Sequence, residues 1–304
     1  MAPNNKPFGQ PPRVAPPRET AVPELPEVET MRRGILAVRG CRITAVVAAA
    51  CKLKPIGLAP KMASFRRRAV GARIEDVGRV GKRVVLLLDT GDRIVLEPRM
   101  TGLVLVAAPP NREHLRLRFS LEGGPVAELL YWDRRGLGRV QLLTAAEFAE
   151  RYSLERIGPD ALQITAETLR ERLSKSRRAI KVALLDQRAL AGVGNLYASE
   201  ILHLCRVSPL RPCDRLRPAE WKLLHAALRE VLESAIRHEG STLSDGTYRN
   251  ALNKDGGYQH HHRVYDRAGE DCISCRRGSI IRIVQAQRST FYCPKCQSGK
   301  LRRE

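Results

Sequence analysis

No apolar run in this chain approaches the roughly 18–20 residues that a helix needs to cross a bilayer. A helical membrane span is therefore not expected. The first residues contain no apolar signal-peptide core, so export is not expected either. Acidic residues are also scarce, with 32 Asp+Glu against 53 Lys+Arg and a net charge of +21. An excess of this size implies an anionic partner, most simply nucleic acid. A solvated basic surface would give the same composition, and charge alone does not separate DNA from RNA. No internal repeat is visible. The length of 304 residues, 43% of them hydrophobic, suits two domains with a substantial core.

Residues 1–22 hold six prolines, a net charge of +2 and no apolar periodicity. Such a segment cannot bury a core and is expected to be disordered or absent from the mature protein. Residues 26–38 read as a helix. Pro26 suits the first turn, Glu27 and Glu29 suit the positive end of the dipole, and Val28, Met31, Ile35 and Leu36 share a face. From 41 to about 145, short strand-like runs such as KRVVLLLDT and HLRLRFSL alternate with Gly, Pro and Asp turns. This spacing suggests a β-sandwich or barrel. Residues 151–165 read as a linker, and 166–239 as helices that stop at Gly240. Residues 241–263 are loop-like, and His260, His261 and His262 within them read as loop residues.

Eight cysteines divide into two sets. Cys41, Cys51, Cys205 and Cys213 are scattered and read as small hydrophobes of a reducing compartment. Cys272, Cys275, Cys293 and Cys296 form two C-x2-C pairs 17 residues apart. Four thiolates at this spacing suit one tetrahedral structural zinc, with a β-hairpin between the pairs and Arg288 near its tip. In AGVGNLYASE, Gly192 and Gly194 permit tight turns and Asn195 can cap the following helix. The exposed amides there could instead receive a phosphate. Pro23 and Glu24 stand just before a helix. A secondary amine at a chain end can attack a sugar C1′, with a neighbouring carboxyl moving protons. On spacing alone, a stiff Pro-x-x-Pro lead-in to that helix is the favoured reading.

PELPEVET, GVGNLYASE and AQRSTFYCPKC occur in that order. Together they resemble the bacterial formamidopyrimidine-DNA glycosylases, the MutM-type branch of the Fpg/Nei superfamily, over roughly residues 23–297. The resemblance implies an α+β multidomain protein. Its parts would be an N-terminal β-sandwich with a leading helix over 23–150, a helix–two-turn–helix domain over 166–255 and a zinc β-hairpin over 256–304. It implies a monomeric enzyme of the bacterial cytoplasm acting on double-stranded DNA that carries oxidised bases or abasic sites. Oxidised purines would be excised and the strand then nicked by β- and δ-elimination through a Schiff base, with the target base flipped out of the stack.

By the same resemblance, Pro23 is the nucleophile, Glu24 the acid beside it and Glu27 a second organising acid. Lys82 and Asn195 contact phosphate, and Arg288 grips the backbone of the flipped nucleotide. Met100 fills the gap left by the base, and Arg135 reaches the widowed cytosine. Cys272, Cys275, Cys293 and Cys296 are the zinc ligands. The sequence DRRGLG departs from the family's Asp-Pro-Arg-Arg-Phe-Gly at Arg134, Gly136 and Leu137. Leu137 can still wedge a base step but offers no flat face.

The other departure is that 22 residues precede Pro23. The expectation is that translation starts at Val22, whose GTG codon also initiates in bacteria. Removal of the initiator methionine would then free the Pro23 amine. Two other readings stand beside this one. An endonuclease VIII-like enzyme would remove oxidised pyrimidines, against which PELPEVET and Arg135 argue. A catalytically silent DNA-binding protein would result if the amine stayed blocked.

Overall fold

The structure is a computed structural model and describes residues 23–298. The expectations for residues 1–22 and 299–304 lie outside the described residues. The leading helix α1 (Leu25–Gly34) forms where expected, with Pro26 in its first turn and a reciprocal capping box between Glu24 and Glu27. It buries Val28 and Met31 completely, as the chain does Ile35 just after it.

Behind α1 lies a two-sheet sandwich. Strands β1 (Arg42–Ala48), β2 (Gly57–Ala59), β3 (Ile74–Val80), β4 (Arg83–Leu88) and β5 (Arg93–Glu97) are followed by β6 (Gly102–Leu105), β7 (Leu115–Glu122), β8 (Glu128–Asp133) and β9 (Arg139–Leu143). A short helix α2 (Met62–Ala69) follows β2. One sheet has the order β1-β7-β8-β6 and the other β2-β9-β5-β4-β3. Their inner faces and α1 share one apolar core that includes Ile43, Phe65, Leu86, Phe119 and Tyr131. The strand-like runs KRVVLLLDT and HLRLRFSL contain β4 and most of β7, while β2 and β9 supply a parallel pair that no alternating pattern announced.

The second half is helical: α3 (Ala145–Arg151), α4 (Ala166–Leu173), α5 (Ile180–Leu184), α6 (Asn195–Leu204) and α7 (Pro218–Arg237). The long α7 buries Trp221, Leu224, Leu228 and Leu232 against the others. It ends before Gly240, whose φ of +78° lets its N–H return to the Ala235 carbonyl at 2.8 Å. Much of the segment read as a linker is part of this unit. Ile157, Ala161 and Ile164 are buried, and the last two lie in the helical core because their apolar spacing matches its surface. Strands β10 (Ile281–Gln285) and β11 (Arg288–Tyr292) form the C-terminal hairpin. Its two-residue turn places Ala286 and Gln287 at positive φ, as a tight hairpin requires.

The loop after α7 runs back to the sandwich. Tyr248 and Ala251 join its core, and the Ala251 carbonyl accepts the Val106 N–H at 3.0 Å. A second tie is ionic. Arg79, at the end of β3, grips both oxygens of Asp160 at 2.6 and 3.0 Å and reaches Glu29 of α1 at 3.0 Å. Burial pushes the Glu29 carboxyl up, but hydrogen bonds from Arg32, Arg33 and Arg79 overcome it and hold the group at about 2.

This tie sets a measurable pH dependence. A carboxyl whose folded pKa is depressed contributes stability above its unfolded value near 4.5, and that contribution fades as pH falls toward 2. Replacing Arg79 with Met strands Asp160 and weakens the hold on Glu29. The expected loss is about 3 kcal/mol in urea unfolding at neutral pH. The variant should also show a smaller stability loss between pH 4.5 and 2 than the parent. Equal unfolding midpoints would show that the cluster does not tie the two halves together.

Candidate functional site

The site forms where the N-termini of α1 and α6 meet. Pro23 is buried immediately before α1. Glu24 is 4% exposed, and its carboxylate turns inward. Its Oε1 accepts the Leu196 N–H at 3.0 Å, within the first turn of α6. The next residue, Leu25, donates its N–H to the Gly192 carbonyl at 3.0 Å. The start of α1 is therefore stitched onto the GVGN turn.

This stitching explains both glycines. A Cβ on Gly194 would lie 2.3 Å from the Glu24 carboxyl carbon, and one on Gly192 would lie 2.4 Å from Leu25 Cδ1. Gly192 also has a φ of +107°, which a side chain would strain. The expected cap is corrected accordingly. Asn195 is the first residue of α6 and makes no side-chain cap, because Gly194 holds the cap position and the Glu24 carboxylate satisfies an amide there. The Asn195 Oδ1 instead accepts Lys181 Nζ at 2.6 Å.

A second carboxyl lies against the first. Glu27 is 3% exposed and takes the Glu24 N–H on Oε2 at 2.9 Å. Its Oε1 takes the Tyr197 hydroxyl at 2.5 Å and the Ser241 N–H at 2.9 Å. Burial, then the neighbouring Glu24 charge, push Glu27 up to about 7 against those hydrogen bonds. Burial also raises Glu24, opposed by the positive charge of Lys82. Lys82 lies in the turn between β3 and β4, where burial lowers its ammonium and Glu24 raises it. Arg288 acts on the same ammonium from the start of β11. Residues from opposite ends of the chain thus converge: Pro23, two buried carboxyls and two cations.

A second group forms at the end of the sandwich. Arg135 Nη1 touches Met100 Sδ at 3.4 Å, and Leu137 is half-buried in the same loop. Asp133, fully buried, organises this loop through the N–H groups of Arg135 at 3.2 Å and Gly138 at 2.7 Å. Gly136 has a φ of +61°, and a Cβ there would come 2.1 Å from the Lys54 carbonyl oxygen. No side chain fits at 136 in this loop, which explains the loss of the motif's second arginine.

Sequence reasoning missed several residues. Lys181 is 1% exposed and joins α5 to α6 and the hairpin, donating to Asn195 Oδ1, Ser289 O and Thr290 Oγ1 at 2.6–2.8 Å. Its signal was a lone cation in the apolar run AIKVAL. Glu200, fully buried in α6, accepts the N–H groups of Arg263, Val264 and Tyr265. The histidine run is also corrected. His260 and His261 are exposed, but His262 is 8% exposed with Nε2 3.0 Å from Ser241 Oγ.

The four clustered cysteines place their sulfurs within 4.8 Å of one another. Cys272 and Cys296 are 3.7 Å apart, as are Cys275 and Cys293. A tetrahedral ion with Zn–S bonds of about 2.3 Å requires edges of about 3.8 Å, so the donor set fits one structural zinc. Four protein ligands close its shell, and the metal holds the hairpin.

Comparison with known proteins agrees with this geometry. The formamidopyrimidine-DNA glycosylase N-terminal domain matches residues 22–140, that family's H2TH domain matches 157–247, and the zinc finger found in FPG and IleRS matches 269–299. The formamidopyrimidine-DNA glycosylase of Chloroflexus aurantiacus is 41% identical over 278 residues, covering 91% of this chain and 98% of the relative. The chain belongs to the formamidopyrimidine-DNA glycosylase family.

The Caulobacter vibrioides formamidopyrimidine-DNA glycosylase is 37% identical over 91% of this chain and 100% of its own length. The crystal structure of the MutM (Fpg) protein of Thermus thermophilus superposes with a TM-score of 0.79 at 38% identity, covering 92% of this chain and 100% of the other. The Lactococcus lactis Fpg bound to abasic-site DNA has a TM-score of 0.78 at 29% identity, with coverage of 90% and 99%. The family's parts are all here: sandwich, H2TH helices and zinc hairpin. Among the described residues no helix is long and apolar enough to cross a membrane.

Cys293→Ser should remove the metal, reading as a fall from about one zinc per chain to near zero by elemental analysis. The hairpin should become protease-sensitive in parallel. Full zinc content in the variant would refute this ligand set.

Proposed function

We propose that this protein is a DNA glycosylase for oxidised purines, 8-oxoguanine and formamidopyrimidines, and that it also nicks the strand as an AP lyase. The observation that carries this reading is the placement of Glu24. A buried carboxyl, raised by burial, stands directly beside Pro23 and faces Lys82. The family membership supplies the substrate class.

In this reading the Pro23 nitrogen is the nucleophile, and the mature chain begins at Pro23. Its lone pair bonds to C1′, and the C1′–N bond to the damaged base breaks, the base leaving with the electron pair and acquiring a proton. The carboxyl of Glu24 protonates the sugar ring oxygen as the ring opens, and its carboxylate accepts the proton shed by the amine. The product is an iminium ion at C1′. Loss of a C2′ proton then breaks the C3′–O bond, and a second elimination breaks the C5′–O bond.

Lys82, Asn195 and Arg288 hold the phosphates of the flipped nucleotide. Met100, Arg135 and Leu137 enter the space that nucleotide leaves, where the Arg135 guanidinium bonds the widowed cytosine. The zinc hairpin presents Arg288, and the Lys181 hydrogen bonds to Ser289 and Thr290 fix the strand just beyond it to α5. The enzyme acts as a monomer on double-stranded DNA, and its +21 charge favours that polyanion.

The intact mass of the protein expressed from its own gene should correspond to a chain beginning at Pro23. That trimmed protein should form a borohydride-trapped adduct with 8-oxoguanine duplex, and Pro23→Gly should weaken trapping. A mass retaining the residues before Pro23, with no trapped adduct, would leave a DNA-binding protein without lyase chemistry. Unchanged trapping by Pro23→Gly would remove Pro23 from the mechanism.

Arg135→Ala should lose its preference for lesions opposite cytosine. A good bidentate base contact discriminates by about 1–3 kcal/mol, so the preference should fall roughly 5- to 150-fold in single-turnover assays across the four partner bases. An unchanged partner-base profile would exclude Arg135 from reading the opposite strand.

A further inference from the structure

The side chain of Arg135 is exposed, but the peptide that carries it is held. The Arg135 N–H donates to Thr101 Oγ1 at 3.0 Å and to Asp133 Oδ1 at 3.2 Å. The other end of the same peptide, the Arg134 carbonyl, accepts Arg116 Nη2 at 3.4 Å. Thr101 and Asp133 are 0% exposed and Arg116 is 5% exposed. A solvent-facing guanidinium therefore stands on a root gripped at both ends from inside the sandwich.

The direction of each bond is settled by the groups themselves. The single hydroxyl proton of Thr101 goes to Asp133 Oδ1, so a lone pair of Oγ1 is left for the Arg135 N–H. Asp133 Oδ2 takes the Gly138 N–H at 2.7 Å. Arg116, on β7, donates from Nε to the Asp133 carbonyl at 2.8 Å. Its Nη1 donates to the Lys54 carbonyl at 3.0 Å and to Cys51 Sγ at 2.7 Å. These partners are three carbonyls and a thiol, so a buried cation uses its donors on loop backbone. Such a group is costly to bury, and its hydrogen bonds all converge on the loop that bears Arg135 or on the segment packed beneath it.

We propose that Thr101 and Arg116 are positioning residues that set the preference for the base opposite the lesion, by fixing the root of Arg135 before DNA binds. The proposal rests on the reading of Arg135 as the group that bonds the widowed cytosine.

A long side chain can aim its fork only if its root is placed. A bidentate contact tolerates a misplacement of about 0.5 Å, and ordering a free arginine stem opposes binding. The neighbours give no help, because Gly136 has no side chain and Leu137 has no hydrogen-bonding group. Placement therefore falls to the clamp on the 134–135 peptide. Thr101 also follows Met100 directly, in the turn from β5 to β6 that the Gly102 N–H closes onto the Pro98 carbonyl at 2.9 Å. Its hydroxyl thus ties the residue that fills the gap to the one that reads across it, and Met100 Sδ lies 3.4 Å from Arg135 Nη1. The clamp shares no residue with the group around Glu24, so partner-base reading can be altered apart from the chemistry.

The test uses protein beginning at Pro23, with active sites counted by borohydride trapping. Single-turnover 8-oxoguanine excision is measured opposite cytosine and opposite adenine at saturating enzyme. Thr101→Val keeps the shape and removes the hydroxyl, and Arg116→Gln releases the Arg134 carbonyl. Each should lower the ratio of cytosine-opposed to adenine-opposed rates by about 2- to 10-fold, the effect of one hydrogen bond. Thr101→Ser should restore it. On an Arg135→Ala background neither change should lower the ratio further, because the effect passes through Arg135. A merely structural role lowers both rates together and leaves the ratio alone. If Thr101→Val does not fold, Arg116→Gln decides. A parental ratio in one variant removes that residue from the clamp. A parental ratio in both, or a further fall on the Arg135→Ala background, overturns the proposal. If Arg135→Ala itself keeps the parental ratio, the reading of Arg135 fails and the clamp has nothing to position.

Discussion

The hydrogen bond from the Leu196 N–H to Glu24 is the contact on which the rest of this protein turns. It crosses from the sandwich half to the helical half and does so inside the protein, at the candidate reacting centre. The amide ends of α6 need acceptors, and a buried carboxylate needs donors. Each answers the other. Gly192 and Gly194 are the local condition for that approach, because a methyl at either position would occupy the space of Leu25 or Glu24. The domain interface and the chemical site are thus one construction. Whatever loosens the docking of the two halves also moves the carboxyl beside Pro23.

The same logic governs the other buried charges. Arg79 joins Glu29 to Asp160, Lys181 joins α5 and α6 to the hairpin, and Glu200 collects the backbone of residues 263–265. Each stands where separate segments of the chain meet. Such groups are costly to bury unless fully partnered, so each tolerates one arrangement of its segments. The large positive excess plays a different part. It lies mainly on exposed residues, where long-range attraction to a polyanion operates and little folding energy is involved.

This division explains what could be read from the sequence. The zinc ligands were legible because a metal imposes local spacing on Cys272, Cys275, Cys293 and Cys296. The leading helix was legible because Pro26 and Glu27 act within one turn. Gly192 and Gly194 announced a turn, but their reason lies more than 160 residues away in Glu24 and Leu25. The capping role of Asn195 was misread for the same cause, since its competitor for the helix end was a distant carboxylate. His262 could not be told from its two exposed neighbours, because only the fold brings Ser241 beneath it. Local rules expose elements and metal sites; partners chosen by tertiary contact stay hidden.

The two carboxyls show why such hidden partners matter. Glu24 and Glu27 are both buried and joined through the Glu24 N–H, so they cannot both carry full charge at low cost. Their surroundings separate them. Glu24 has the cation Lys82 and the amides of α6, and one of its oxygens, Oε2, has no hydrogen-bond partner among the described residues. In the proposed function that oxygen is the one open to a substrate atom or the Pro23 nitrogen. Glu27 has both oxygens engaged, one on the backbone of Glu24 and one on Tyr197 and Ser241. It can set the charge beside Glu24, but it has no oxygen left to present. On the proposed reading the first acid exchanges protons with the reacting sugar, and the second, held behind it, sets the charge against which the first ionises.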